Sequence, residues 1–235
     1  MSECTASTIA ELHAALRTYA DDKNWVYRGQ RDAGWSIRPK AGREPYNRAV
    51  DSEVFSAWKR QAIEYVTVRP QNDWEWLAIA QHHGLATRLL DWAMNPLVAA
   101  YFAVRDTSST DAIIYAAKFD TTVDNVPPSD PMQFTDLALF RPHRVVPRIT
   151  RQGGVFSIHP DPKIDLTTRP KGLAALDRIR IPAEARAKLR SDLSYYGFNE
   201  ATMFPDLDGI SSFINWTIET GEYGYGDPNQ PPALN

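Results

Sequence analysis

Between residues 73 and 104 the chain packs a helix, a stop, a strand, a cap and a second helix end to end, and this compression limits the available folds more than any other feature. The stretch WEWLAIAQHH, opened by Asp73, has the length and apolar content of a helix. Gly84 suits the left-handed position that ends one. ATRLLDW then reads as a strand, and Asn95-Pro96 as the cap and first-turn proline of a helix whose Leu97, Ala100, Tyr101 and Val104 share a face. The same region, QHHGLATRLLDW at 81–92, crowds two histidines, a glycine, an arginine and an aspartate into twelve positions. That density marks either a reaction site or the join between two elements.

The flanking text is of the same mixed kind. Thr8 and Glu11 have capping-box spacing ahead of an amphipathic helix carrying Ile9, Leu12, Leu16 and Tyr19. Trp25-Val26-Tyr27 predicts a strand ending at Arg28-Gly29. After a Gly- and Pro-containing loop, Asp51 or Ser52 opens a helix expected to bury Val54, Trp58, Ile63 and Val66. DAIIYAAKF, VFSIH and AALDRIRI predict further strands, Pro182 to Tyr196 a helix stopped by Gly197, and FNEATMF precedes a last helix starting near Asp208. Residues 120–151 are Pro-rich and aperiodic, a long functional loop or a small insertion. The whole predicts an α+β domain over 1–219, with N-terminal helices around an antiparallel-leaning sheet, and a flexible tail over 220–235.

Composition narrows the function classes. The 235 residues include one cysteine, which excludes a disulfide framework and a Cys-rich zinc site, and fits a reducing compartment. No apolar run is long enough to span a bilayer and the amino terminus lacks a targeting pattern, so the expected setting is cytoplasmic, with no membrane partner. A net charge of −3 gives no global field for nucleic acid, though a local basic groove would escape that test. His82 and His83 are adjacent, and on a helix they diverge too far to ligate one metal, so no metal site is expected.

Three polar clusters sit at predicted element ends: Tyr27-Arg28-Gly29-Gln30, Thr87-Arg88-Leu89-Leu90-Asp91-Trp92, and Asn199-Glu200 with Asp206 and Asp208. Singly, each has a structural explanation: Arg28 in a surface ion pair, Arg88 paired with Asp91, Asp206 and Asp208 capping the last helix. Gln152-Gly153-Gly154 lacks the lysine of a phosphate loop and reads as a turn in which Gln152 is a candidate ligand contact.

Together the clusters resemble the FRG domain, named for a Phe-Arg-Gly motif that stands here as Tyr27-Arg28-Gly29-Gln30. QHHGLATRLLDWAMNPLVAAYFA at 81–103 is similar to its Gln-His-x-Gly-x-x-Thr-Arg-Leu-Leu-Asp-Trp segment, and YGFNEATMFPDLDG at 196–209 to a third motif. The similarity runs from about residue 7 to residue 216, with Tyr27 for Phe and Ala86 for Pro. More distantly the order of motifs resembles that of ADP-ribosyltransferases, which implies a split sheet and NAD as substrate. It departs at the second motif, where Leu-Asp-Trp stands in place of Ser-Thr-Ser.

By that resemblance Glu200 and Arg28 are the catalytic pair. Glu200 would stabilise the ribose charge that develops as nicotinamide leaves, and Arg28 would clamp a phosphate. Arg28, Gly29, Gln30, Tyr27, Asp91, Trp92, Arg88 and Gln152 would contact the dinucleotide, with Trp92 or Tyr27 stacking on nicotinamide. Arg88 and Asp91 are either walls of that site or the ion pair that rigidifies it. The implied activity is ADP-ribosyl transfer to a macromolecule, protein or RNA/DNA, or NAD hydrolysis, in a toxin or phage-defence effector with an antitoxin or immunity partner. Two other readings stay open: a non-catalytic binding module, and a metal-dependent nuclease in which Asp91, Glu200, Asp206 and Asp208 converge.

Overall fold

The computed structural model describes residues 2–67, 69–123, 130–141 and 154–222. Within them the strands are β1 (Glu3–Thr5), β2 (Val26–Gln30), β3 (Leu89–Ala93), β4 (Ala112–Phe119), β5 (Thr122–Val123), β6 (Ala138–Phe140), β7 (Gly154–Ile158) and β8 (Leu173–Ile181). The helices are α1 (Ile9–Arg17), α2 (Asp51–Ala62), α3 (Asp73–His82), α4 (Pro96–Val104), α5 (Arg186–Tyr195), the single turn α6 (Glu200–Met203) and α7 (Leu207–Glu219). The strands form one sheet in the order β1-β8-β4-β2-β3-β7-β6-β5. It is antiparallel except at its edges, where β1 runs parallel to β8 and β5 parallel to β6. The α+β expectation holds for the described residues.

The centre of this sheet is nearly severed. β2 follows β4 over five residue pairs and β3 follows β7 over five, yet β2 and β3 meet only at Tyr27 and Ala93. Two half-sheets therefore diverge from one joint. Helix α4 closes the joint from one side. Asn95 Oδ1 accepts from the Leu97 N–H at 2.9 Å and Pro96 fills the first turn, as capping chemistry requires. The helix is buried almost all round, not along one face only, because β2, β4 and α5 all pack on it. Gly29 permits the contact with β2: a Cβ there would stand 1.9 Å from the Ala99 carbonyl oxygen.

Three apolar groups sit around the sheet. One lies between it and α1, α4 and α5, a second lies on the opposite face with Ile37, Trp92 and Tyr115, and a third joins α2 and α3 to β3, β6 and β7. Of the residues expected to be buried here, Trp58 and Val66 pack against the third group beside buried Phe55 and Ala62, whereas Ile63, just past the end of α2, is exposed. Gly84 has φ +85° and ends α3 as anticipated. β1, β5 and β6 were not anticipated; the last two lie in the segment read as a loop or an insertion. The last helix begins at Leu207 under an Asp206 cap, and FNEATMF contains the α6 turn. Of the predicted tail, only 220–222 lie among the described residues.

The Arg88–Asp91 ion pair is not formed. Alternation along an extended chain sends residues three apart to opposite faces. Arg88 turns to the first residue of α2, with Nε and Nη2 on the two Asp51 carboxylate oxygens at 2.8 and 2.9 Å and Nη1 on the Met132 carbonyl at 3.0 Å. Asp51 is thus an anchor for Arg88, where the sequence suggested a cap. Both side chains are nearly buried, so Arg88→Ala is expected to destabilise the fold by about 3 to 5 kcal/mol, because it strands Asp51. Asp91→Asn, at a half-exposed carboxylate, is expected to stay within about 1 kcal/mol of the parent. Urea unfolding of the two variants checks the contrast.

Candidate functional site

Where β2 and β3 diverge, ladder hydrogen bonds are lost and a side chain supplies one instead. Arg28 Nη1 donates to the Asp91 carbonyl at 2.8 Å, the role a β2 backbone N–H would have in a continuous sheet. The fork opens into a cleft of about 530 Å³, within the usual range for small-molecule sites. Its walls come from both half-sheets: Arg28 and Gln30 on one, Asp91 and Gly154 to Phe156 on the other.

The lining is strongly biased in charge. Arg28, Arg31, Arg43 and Arg105 face the cleft, against one carboxylate, Asp91. Burial lowers the Arg28 guanidinium from its ordinary value, Asp91 opposes that shift, and Arg43 adds to it. Burial lowers Arg43 as well, with Asp91 opposing and Arg38 reinforcing. Cations held near one another and partly dehydrated make an anion-attracting site. Arg31 is paired with Asp106 and lies 5.3 Å from the centre of the exposed Trp35 ring. Trp35, Phe102 and Phe204 supply aromatic surface to the same cleft.

Local structure explains why these groups converge. Buried Arg186 donates to the carbonyls of Arg31, Thr110 and Asp106 at 2.5, 3.0 and 2.7 Å, which fixes the backbone that carries Arg31 and Arg105. The turn before Arg43 is tied to the segment after Gly84 by Ala41 N–H on the Thr87 carbonyl and Lys40 Nζ on the Gly84 carbonyl. From there a chain of bonds reaches Asp91. Leu89 N–H donates to Thr87 Oγ1, that hydroxyl donates to Gln81 Oε1 at 2.6 Å, and Gln81 Nε2 donates to Asp91 Oδ2 at 2.8 Å. Asp91 Oδ2 also lies 3.7 Å from Arg28 Nη1.

The structure sorts the expected site residues into groups. Arg28, Gly29, Gln30, Tyr27 and Asp91 all line the cleft. Trp92 does so with little exposed surface: its indole points into the core, donating to Ser157 Oγ at 2.9 Å, and so cannot stack on a ligand. Tyr27 is likewise buried against Tyr19. Arg88 serves α2 and is absent from the cleft. Gln152 lies outside the described residues. Glu200 is buried, pairs with Arg190 at 2.6 Å and faces a separate depression with Asp206 and Asp208. Phe204 and Arg105 line both hollows and stand between them. The four carboxylates weighed for a shared metal are therefore divided, and no group of three His, Cys, Asp or Glu among the described residues is placed to hold an ion. Missed from the sequence were Arg31, Trp35, Arg43 and Arg105, none of which has a local signature of its own. Gln81, Phe102 and Phe204 are different, because they stand in the quoted motifs and only the tertiary fold shows that they reach the cleft.

Beneath the cleft floor, Ser157 Oγ joins Trp92 Nε1 to His159 Nε2, the latter at 2.8 Å. An indole can only donate, so Ser157 Oγ accepts from Trp92, and the bond between Ser157 Oγ and His159 Nε2 takes its direction from the imidazole tautomer. Burial, reinforced by the Arg28 charge, pushes His159 down to about 3. The unfolded chain binds this proton near 6.5, so the stabilisation is complete above that pH and is lost as pH falls towards 3. His159→Gln is expected to flatten the rise of the urea midpoint between pH 3 and 6.5, measured against the parent.

No described helix is long and apolar enough to cross a membrane. A model of the FRG domain family matches residues 23–112, a span that holds all four cleft arginines and Asp91 and excludes Glu200. No curated protein and no solved structure matches the chain.

Proposed function

We propose, taking the FRG domain at residues 23–112 as the premise, that its cleft binds NAD and that the protein transfers ADP-ribose from it to a macromolecular acceptor or to water. The carrying observation is the charge of the cleft: four arginines against one aspartate at the fork of a split sheet. A dinucleotide brings a pyrophosphate to the arginines and flat rings to Trp35 and Phe102. Planar guanidinium groups engage phosphate oxygens in pairs and stack on aromatic faces, so arginine fits both parts of such a ligand. The described hollow is also of suitable size. A second reading, a binding module without chemistry, is favoured by the way several motif residues are engaged inside the protein. Arg88 holds Asp51, Trp92 holds Ser157 and Glu200 holds Arg190.

Calorimetric titration with NAD tests the first reading, and a parent that does not bind favours the module. Arg31 and Trp35 are solvent-exposed enough to replace without unfolding the protein. Arg31→Ala is expected to weaken binding by roughly tenfold, the loss of one charge-assisted contact, and Trp35→Ala by a similar factor through lost stacking. Affinity should also fall as salt is raised. Equal affinities in parent and both variants would place NAD elsewhere. Release of nicotinamide then separates transferase or hydrolase from module.

A further inference from the structure

We propose that Asp91 is the carboxylate that faces the ribose of the bound dinucleotide, in place of Glu200; the inference rests on the NAD reading above. Three observations carry it. Asp91 is the one carboxylate among the described residues lining the cleft, and its side chain is 56% exposed. Glu200 is 8% exposed, is engaged by Arg190 and lies beyond the partition made by Phe204 and Arg105. Finally, Asp91 is held from one side only. Gln81 Nε2 engages Oδ2, while Oδ1 receives no hydrogen bond from a described residue. The Thr87 hydroxyl on Gln81 Oε1 orients that amide, so its NH2 end must face Asp91. At 3.7 Å from the largely buried Arg28 the Asp91 carboxylate is beyond hydrogen-bond reach of it, so Gln81 is the side chain that fixes its position.

The chemistry needs such a group. As the bond between ribose C1′ and the nicotinamide ring nitrogen breaks, its electron pair goes to that nitrogen and nicotinamide leaves neutral. Positive charge grows on C1′ and the ribose ring oxygen. Asp91 accepts a hydrogen bond from a ribose hydroxyl through Oδ1 and opposes that charge. An oxygen or nitrogen nucleophile of the acceptor, or water, then gives a lone pair to C1′ and releases its proton to solvent. An interaction that strengthens as charge develops acts on turnover more than on binding.

The test is nicotinamide release by the full chain, in buffer and with cell extract supplying acceptors, alongside NAD titration and a thermal melt. Asp91→Asn is expected to lose about 100-fold in turnover while its NAD affinity changes by less than about threefold and its melt is unmoved. Glu200→Gln is expected to keep turnover within about threefold of the parent. The proposal is overturned if Asp91→Asn turns over like the parent, or if Glu200→Gln alone shows the loss. Asp91→Asn protein that binds NAD more weakly by the same factor as it loses turnover would also overturn it, since Asp91 would then be a ground-state contact. A parent that fails to bind NAD, or binds without releasing nicotinamide, refutes the preceding reading, and this one with it.

Discussion

One guanidinium group conditions much of this molecule. Where β2 and β3 part beyond the Tyr27–Ala93 pair, the Asp91 carbonyl would be left without a strand partner, and Arg28 reaches across to bond it. Arg28 supplies the donor that the split takes away, and a small residue at position 28 would leave that carbonyl to solvent. The same arginine lies beside the Asp91 carboxylate, lowers the basicity of His159 beneath the sheet, and projects into the cleft. Its neighbour Gly29 admits α4 against the other face. Bridging the split and seating α4 thus fall to two successive residues, one suited by its reach and one by its lack of a side chain.

The surrounding motif divides its labour by strand alternation. Leu90 and Trp92 point to one core and Asp91 to the cleft side, while Arg88, just ahead of the strand, ties down α2. A string of polar residues that reads as one functional cluster is therefore split among three environments. Thr87 and Gln81 recover part of it for the cleft, since together they fix the only carboxylate that the described lining contains.

Local chemistry is what made the fold legible. Asn95-Pro96, Gly84 and Thr8 with Glu11 each act on the backbone within a few residues, and each is found doing so. The alternation in DAIIYAAKF was less clear because β4 is buried on both faces, yet its length and β-branched content still identified it. The shortest strands escaped notice because β1 and β6 are three residues long and β5 is two, too short for periodicity to show. The site was legible only where a motif residue reached the cleft, as for Arg28 and Asp91. Arg31 and Arg43 reach the cleft through tertiary folding from a segment with no pattern linking them to it. Partner choice was the least legible of all: Arg88 and Asp91 are three residues apart, while Arg88 and Asp51 are separated by 37.

The single-pair joint also has a mechanical meaning. In an ordinary sheet, bending between neighbouring strands must stretch a row of hydrogen bonds, but here only the Tyr27–Ala93 contact and the Arg28 bridge cross the line. Resistance to bending between the halves is left to these two links and to α4, while each half keeps its own five-pair ladder. A guest lodged in the fork would touch both halves and so act as a brace across the line where the sheet has fewest bonds of its own.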